Sequence, residues 1–103
     1  MTDLEITRLC AEAMGYGYEQ ATNIGLIRLT DTGHYFDPLH DDAQAMALVK
    51  RFHLHIGKTL RLPNHPFGKW FVSKTDQFEV PGDDLNRAIC ECVAKMQQAK
   101  AAA

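Results

Sequence analysis

Residues 50–75 hold six basic side chains and no carboxylate: Lys50, Arg51, Lys58, Arg61, Lys69 and Lys74. His53, His55 and His65 fall in the same stretch, and Phe52, Phe67, Trp70 and Phe71 are interleaved with the charges. Residues 1–49 carry eight acids against Arg8 and Arg28. Cations beside aromatic rings are the equipment for phosphate contact and base stacking. A small anion such as a nucleotide would use the same groups. Lys58, Arg61, Lys69, Trp70 and Lys74 are therefore the candidate binding residues. The competing reading is that these lysines alternate with core residues on strands and solvate a sheet edge. Trp70 and Phe71 then point to opposite faces, one into the core and one toward solvent or a partner. In a third reading, the basic stretch of one subunit meets the acidic part of another, making a homodimer surface.

The remaining reactive side chains have simpler explanations. His53-x-His55 would place two imidazoles on one face of a strand, as metal sites do. However, His53 falls near the end of an expected helix, where i and i+2 do not face each other. His34, His40 and His65 lie in separate loops, so no metal or cofactor is expected. Cys90 and Cys92 are two positions apart on an expected helix and point about 200° apart, which excludes a shared ligand or an easy disulfide. Cys92 joins the core stripe, and Cys90 is expected at its partly exposed flank. Glu91 has the wrong sign to activate a thiolate. The doublets Asp41-Asp42 and Asp83-Asp84 could pass for paired catalytic carboxylates. Both stand at the start of an apolar-periodic run, where capping and the helix dipole account for them. Gly68-Lys69 lacks the upstream glycines of a phosphate loop, and no GxSxG or HExxH occurs. A hydrolase built from histidine and aspartate ranks last, because nothing in the spacing joins those residues.

The elements that must position these groups follow from periodicity and turn chemistry. Thr2-x-x-Glu5 is a capping box opening a helix over 3–14, and Gly15 supplies its left-handed stop. Residues 16–25, with Gly17, Asn23 and Gly25, read as loop. Residues 26–30 are a short strand closed by the Asp31-Thr32-Gly33 turn. Asp37-Pro38 breaks the chain, and Asp41 or Asp42 caps a second helix carrying Ala45, Leu48, Val49 and Phe52 on one stripe and ending near His53. Leu54, Ile56, Leu60 and Leu62 alternate with polar residues around Gly57, which favours an interrupted strand. After a loop over 63–68, residues 70–73 and 77–80 form a hairpin joined through Lys74-Thr75-Asp76. Asp83 or Asp84 caps the last helix, whose stripe of Leu85, Ala88, Ile89, Cys92, Val93 and Met96 is the cleanest periodicity in the chain. The expected fold is α+β: a small, at least partly antiparallel sheet of 3–4 strands packed with three amphipathic helices, sandwich-like in layering.

With 103 residues, 46% of them hydrophobic, the chain suits one domain spanning 1–103. A net charge of −2 calls for no polyanionic or polycationic partner at the level of the whole molecule. The sequence has no apolar run of membrane-spanning length. Met-Thr-Asp-Leu-Glu at the N-terminus is not a signal peptide. Three cysteines, odd in number and without a CxxC pair, read as reduced thiols of a cytoplasmic protein.

Three segments carry a family resemblance. They are Asp3-Leu4-Glu5-Ile6-Thr7-Arg8-x-Cys10-Ala11-Glu12-Ala13, then Tyr35-x-x-Pro38-x-x-x-x-Ala43-x-Ala45, and Asn86-Arg87-Ala88-Ile89 running to Lys95-Met96-Gln97. In this order they resemble the NinX-type proteins of lambdoid phages and the broader phage α-β-α sandwich domains. The resemblance implies a phage-encoded accessory protein in the cytoplasm of an infected bacterium. Such a protein would be non-enzymatic and would act by binding a host macromolecule, with a host defence or regulatory protein as a reasonable target. The resemblance supplies no catalytic or binding residue. The alternative is a nucleic-acid or nucleotide binder using residues 50–74. If the basic groups do not converge, the next recognition anchors are the loops at Tyr16–Tyr18 and Gly33–Phe36, since exposed loop aromatics are frequent anchors.

Overall fold

The computed structural model describes residues 2–21, 26–58, 70–74, 78–82 and 84–102. Arg61, Lys69, the loop over 63–68, and the turn residues Thr75 and Asp76 lie outside the described residues. So do Leu60, Leu62 and Asp83.

The first helix, α1 (Asp3–Ala13), begins where the capping box is expected. The Thr2 hydroxyl accepts from the Glu5 backbone N–H, and the Glu5 carboxylate accepts from the Thr2 N–H. It ends in a Schellman motif. Gly15 sits at φ +75°, its N–H bonds to the Glu12 carbonyl, and the Tyr16 N–H bonds to the Ala11 carbonyl. Three short strands follow: β1 (Tyr18–Ala21), β2 (Leu26–Leu29) and β3 (Tyr35–Phe36). They form an antiparallel sheet in sequential order, with Tyr18 opposite Leu29, Ile27 opposite Phe36, and Arg28 opposite both Glu19 and Tyr35. Part of the expected 16–25 loop is therefore strand. At β1 the tetrapeptide Tyr-Glu-Gln-Ala is too short and too weakly patterned to announce itself.

Helix α2 (Asp42–Phe52) is capped by Asp41, whose carboxylate accepts from the Gln44 N–H at 3.1 Å. It stops at His53, the one non-glycine residue with positive φ among the described residues. A second sheet follows, made of β4 (His55–Lys58), β5 (Trp70–Lys74) and β6 (Phe78–Gly82), again antiparallel and in sequential order. The chain closes with α3 (Leu85–Ala102).

The class is α+β, as expected, with three helices among the described residues packing against sheet. The strand number differs: the described residues give six strands in two three-stranded sheets rather than one sheet of 3–4. Two antiparallel meanders are separated in sequence by α2.

The core is organised around α3. Ala88, Ile89, Cys90, Cys92, Val93 and Ala94 are all buried, which is most of its circumference over two turns. Helices α1 and α2 and the face of the second sheet carrying Val72 all pack on it, while α1 also meets β2. Burial of Cys90 corrects its expected place at an exposed flank. The α1 helix covers that flank, and the Cys10 thiol donates to the Cys90 carbonyl at 3.4 Å. No helix among the described residues is long and apolar enough to cross a membrane.

Candidate functional site

Lys58 and Trp70 are direct cross-strand partners between β4 and β5. By strand alternation Trp70 shares a face with Val72 and Lys74. That face packs against α3, since Val72 is fully buried. Trp70 is half-buried there. Lys74 reaches across to α2 and donates from Nζ to the Phe52 carbonyl at 2.6 Å, so its ammonium caps the C-terminus of that helix. Its place in the sequence gave no sign of this role. Arg61 and Lys69 lie outside the described residues; of the other candidates, Trp70 and Lys74 share one face of β5, and Lys58 is the register partner of Trp70.

The first sheet presents a different surface. Its inner face holds Ile27 and Phe36, both buried, and Tyr18, whose hydroxyl donates to Glu12 at 2.8 Å. Burial, helped by that hydrogen bond and the Glu12 charge, raises the Tyr18 pKa above its ordinary value. The outer face carries Glu19, Arg28 and Tyr35 in one row across the three strands. Arg28 donates from Nε to Glu19 at 2.8 Å, and its second guanidinium nitrogen also meets that carboxylate. Tyr35 ends the row and is 50% exposed, the most exposed large hydrophobic side chain among the described residues.

The backbone under Tyr35 is held tightly. Gln44, in the first turn of α2, donates from Nε2 to the Tyr35 carbonyl at 3.0 Å and accepts from the Asp37 N–H at 2.6 Å. One amide side chain thus satisfies a donor and an acceptor of the β3–α2 connection. The Asp37 carbonyl accepts from the His40 and Asp41 N–H groups, which closes the turn at Pro38. On the inner side, Tyr16 meets Phe36 edge-on, with ring centroids 5.7 Å apart. Tyr16 itself is 37% exposed, so both anchor loops named from the sequence display an aromatic ring.

A cleft of about 170 Å³ lies between the start of α1 and this connection, lined by residues that include Asp3, Thr7, Asp37 and His40. The Asp37 carboxylate faces His40 Nδ1 at 2.9 Å, which orients the imidazole. Among the described residues no free nucleophile stands beside it: the Thr7 hydroxyl donates to the Asp3 carbonyl at 2.8 Å, and the Asp3 carboxylate is engaged by Arg87 at 2.6 Å. The described members of the acidic doublets, Asp41, Asp42 and Asp84, are equally occupied. Asp41 caps α2, Asp42 accepts from Asn86 Nδ2 at 2.7 Å, and Asp84 accepts from the Arg87 N–H at 3.3 Å. Among the described residues, no three histidine, cysteine, aspartate or glutamate side chains gather in a metal-binding arrangement. The Cys90 thiol is pushed far up by its contact with Cys10 and by burial, and burial raises Cys92 to about 11. Thiols so placed are poor nucleophiles at neutral pH.

No family model matches the chain, and no curated protein or solved structure matches it either.

Proposed function

We propose that this chain is a non-enzymatic accessory protein that acts by binding another protein through the outer face of its first sheet. The observation that carries the reading is Tyr35: a half-exposed aromatic ring whose backbone carbonyl, together with the Asp37 N–H two residues on, is held by Gln44. A tyrosine on a fixed backbone gives a large contact area with no backbone ordering left to be lost on binding. Its neighbours in the row, Arg28 and Glu19, neutralise one another. An aromatic beside balanced charge suits a protein surface better than a polyanion, which would favour unpaired cations. Binding in place of catalysis is supported by the engagement of Asp41 and Asp84 with helix N-terminal N–H groups, by that of Asp42 with Asn86, and by the poorly nucleophilic thiols. The phage setting, with a host protein as target, rests on the resemblance of the three segments described above.

The test is an affinity pull-down of tagged protein from bacterial lysate, with and without nuclease, read by mass spectrometry. A specific host protein recovered by the wild type after nuclease, and lost or reduced at least tenfold with Tyr35→Ala, is the expected result. Recovery that disappears with nuclease would overturn the reading.

The nucleic-acid reading retains one favourable observation, the direct pairing of Lys58 with Trp70. It requires affinity for defined oligonucleotides that falls steeply with salt and drops with Trp70→Ala.

A further inference from the structure

We infer that α2 is a self-association face, on which two copies of this chain pack their α2 helices antiparallel about a two-fold axis. Ala45 and Leu48 turn inward to the core, while Ala43, Met46, Ala47 and Lys50 are exposed. Those four stand at i, i+3, i+4 and i+7, the spacing of a single helix face. Met46 is 41% exposed and borders a groove of about 340 Å³ floored by Leu85 and Ile89 and rimmed by Asp42 and Asp84. The apolar surface of α2 therefore continues onto α3.

The charge on this face indicates its occupant. The helix begins with Asp41 and Asp42 and ends with Lys50 and Arg51. Antiparallel pairing sets each acidic end against a basic end of the other copy, twice over by symmetry. With the axis between Met46 and Ala47, each of these residues meets its own counterpart. The two alanines let the helices approach closely, and the two methionines cover the grooves. The Lys50 stem then lies over Ala43 of the partner subunit, and its ammonium reaches the side where Asp42 stands. Parallel pairing would instead bring like charges together at both ends. A foreign partner would have to reproduce this polarity, whereas a second copy carries it already. A contact one helix long falls below about 1,200 Å², so the dimer depends on concentration. This face is distinct from the Tyr35 row, and the two readings stand or fall separately.

Sedimentation equilibrium of the full chain tests the inference. The wild-type mass is expected to rise from that of a monomer toward twice that value between about 10 µM and about 1 mM. Ala47→Glu places two like charges at the axis and is expected to raise Kd at least tenfold, with the circular dichroism of the wild type. Asp42→Lys and Lys50→Asp should each weaken the dimer, and the double swap D42K/K50D should restore at least half of the lost association energy. A wild type that stays monomeric throughout, or an Ala47→Glu variant that associates as well as wild type, would overturn the proposal. So would a folded double swap no better than either single variant.

Discussion

Gln44 shows how one side chain can decide the use of a surface. It faces neither the core nor open solvent, and its amide closes the backbone on both sides of Phe36. Gln44→Ala is expected to lower unfolding stability by about 1–3 kcal/mol, since two backbone groups lose their partner. Gln44→Glu keeps the acceptor for Asp37 but loses the donor to Tyr35, and should fall between the two. Urea midpoints at constant m-value would order the three proteins. The thiols give a second expectation. Cys92 and Cys90 have folded pKa values above their unfolded ones, so the folded state holds its thiol protons more tightly. Their contribution is fully present below about pH 9 and is lost as pH rises through the folded values. Each thiol adds at most about 1.4 kcal/mol per pH unit to that loss. Urea unfolding at pH 7, 8 and 10 should show stability nearly level between the first two and clearly lower at the third. A flat profile to pH 10.5 would refute the assignment.

Between elements, the most consequential contact joins β5 to α2. Lys74 was expected as part of a binding surface, and its ammonium meets the Phe52 carbonyl at the end of a helix. Lys74→Met keeps most of the stem and removes the charge-assisted hydrogen bond. A loss of roughly 1–3 kcal/mol in thermal or urea unfolding is expected. At the same helix end, His53 holds φ 53°, and the Leu54 N–H returns to the Val49 carbonyl. A left-handed residue with a Cβ costs about 1 kcal/mol, so His53→Gly should be neutral or stabilising by roughly 0.5–1 kcal/mol. His53→Val should lose about 1–2 kcal/mol, because β-branched side chains fit that region worst. The helices were legible in the sequence because their signals are local. Thr2 and Glu5 form the capping box, Gly15 the stop, Asp41 the second cap, and the α3 stripe its buried face. The first sheet was only partly legible. A two-residue strand such as Tyr35-Phe36 has no period to detect, and its pairing with Ile27 and Arg28 depends on the Gly33 turn, at φ 72°, bringing the chain back. The Gln44 clamp and the Lys74 cap were not legible, because side-chain to backbone bonds across 9 and 22 residues leave no trace in periodicity or composition.

For the molecule as a whole, α3 supports the other two helices and the second sheet, the first sheet packs on α1, and each sheet is a separate meander. Positive charge that looked like one patch in sequence is divided on folding. Lys74 turns toward α2, Lys50 and Arg51 lie on α2 itself, and Lys58 lines up with Trp70 on the second sheet. The acidic N-terminal half behaves alike, with Asp3 tied to Arg87 and Asp42 to Asn86 across more than 40 residues of chain. Charge segregation in the sequence thus serves helix ends and long-range pairs before it serves any ligand. What remains presented is the balanced row of Glu19, Arg28 and Tyr35, and the central claim is that a partner protein docks there. Hydrogen-exchange footprinting of the chain with and without its captured host protein tests this most directly. The account predicts new protection over residues 26–29 and 34–37, lost with Tyr35→Ala. Protection confined to residues 55–74, with residues 26–37 unchanged, would contradict it.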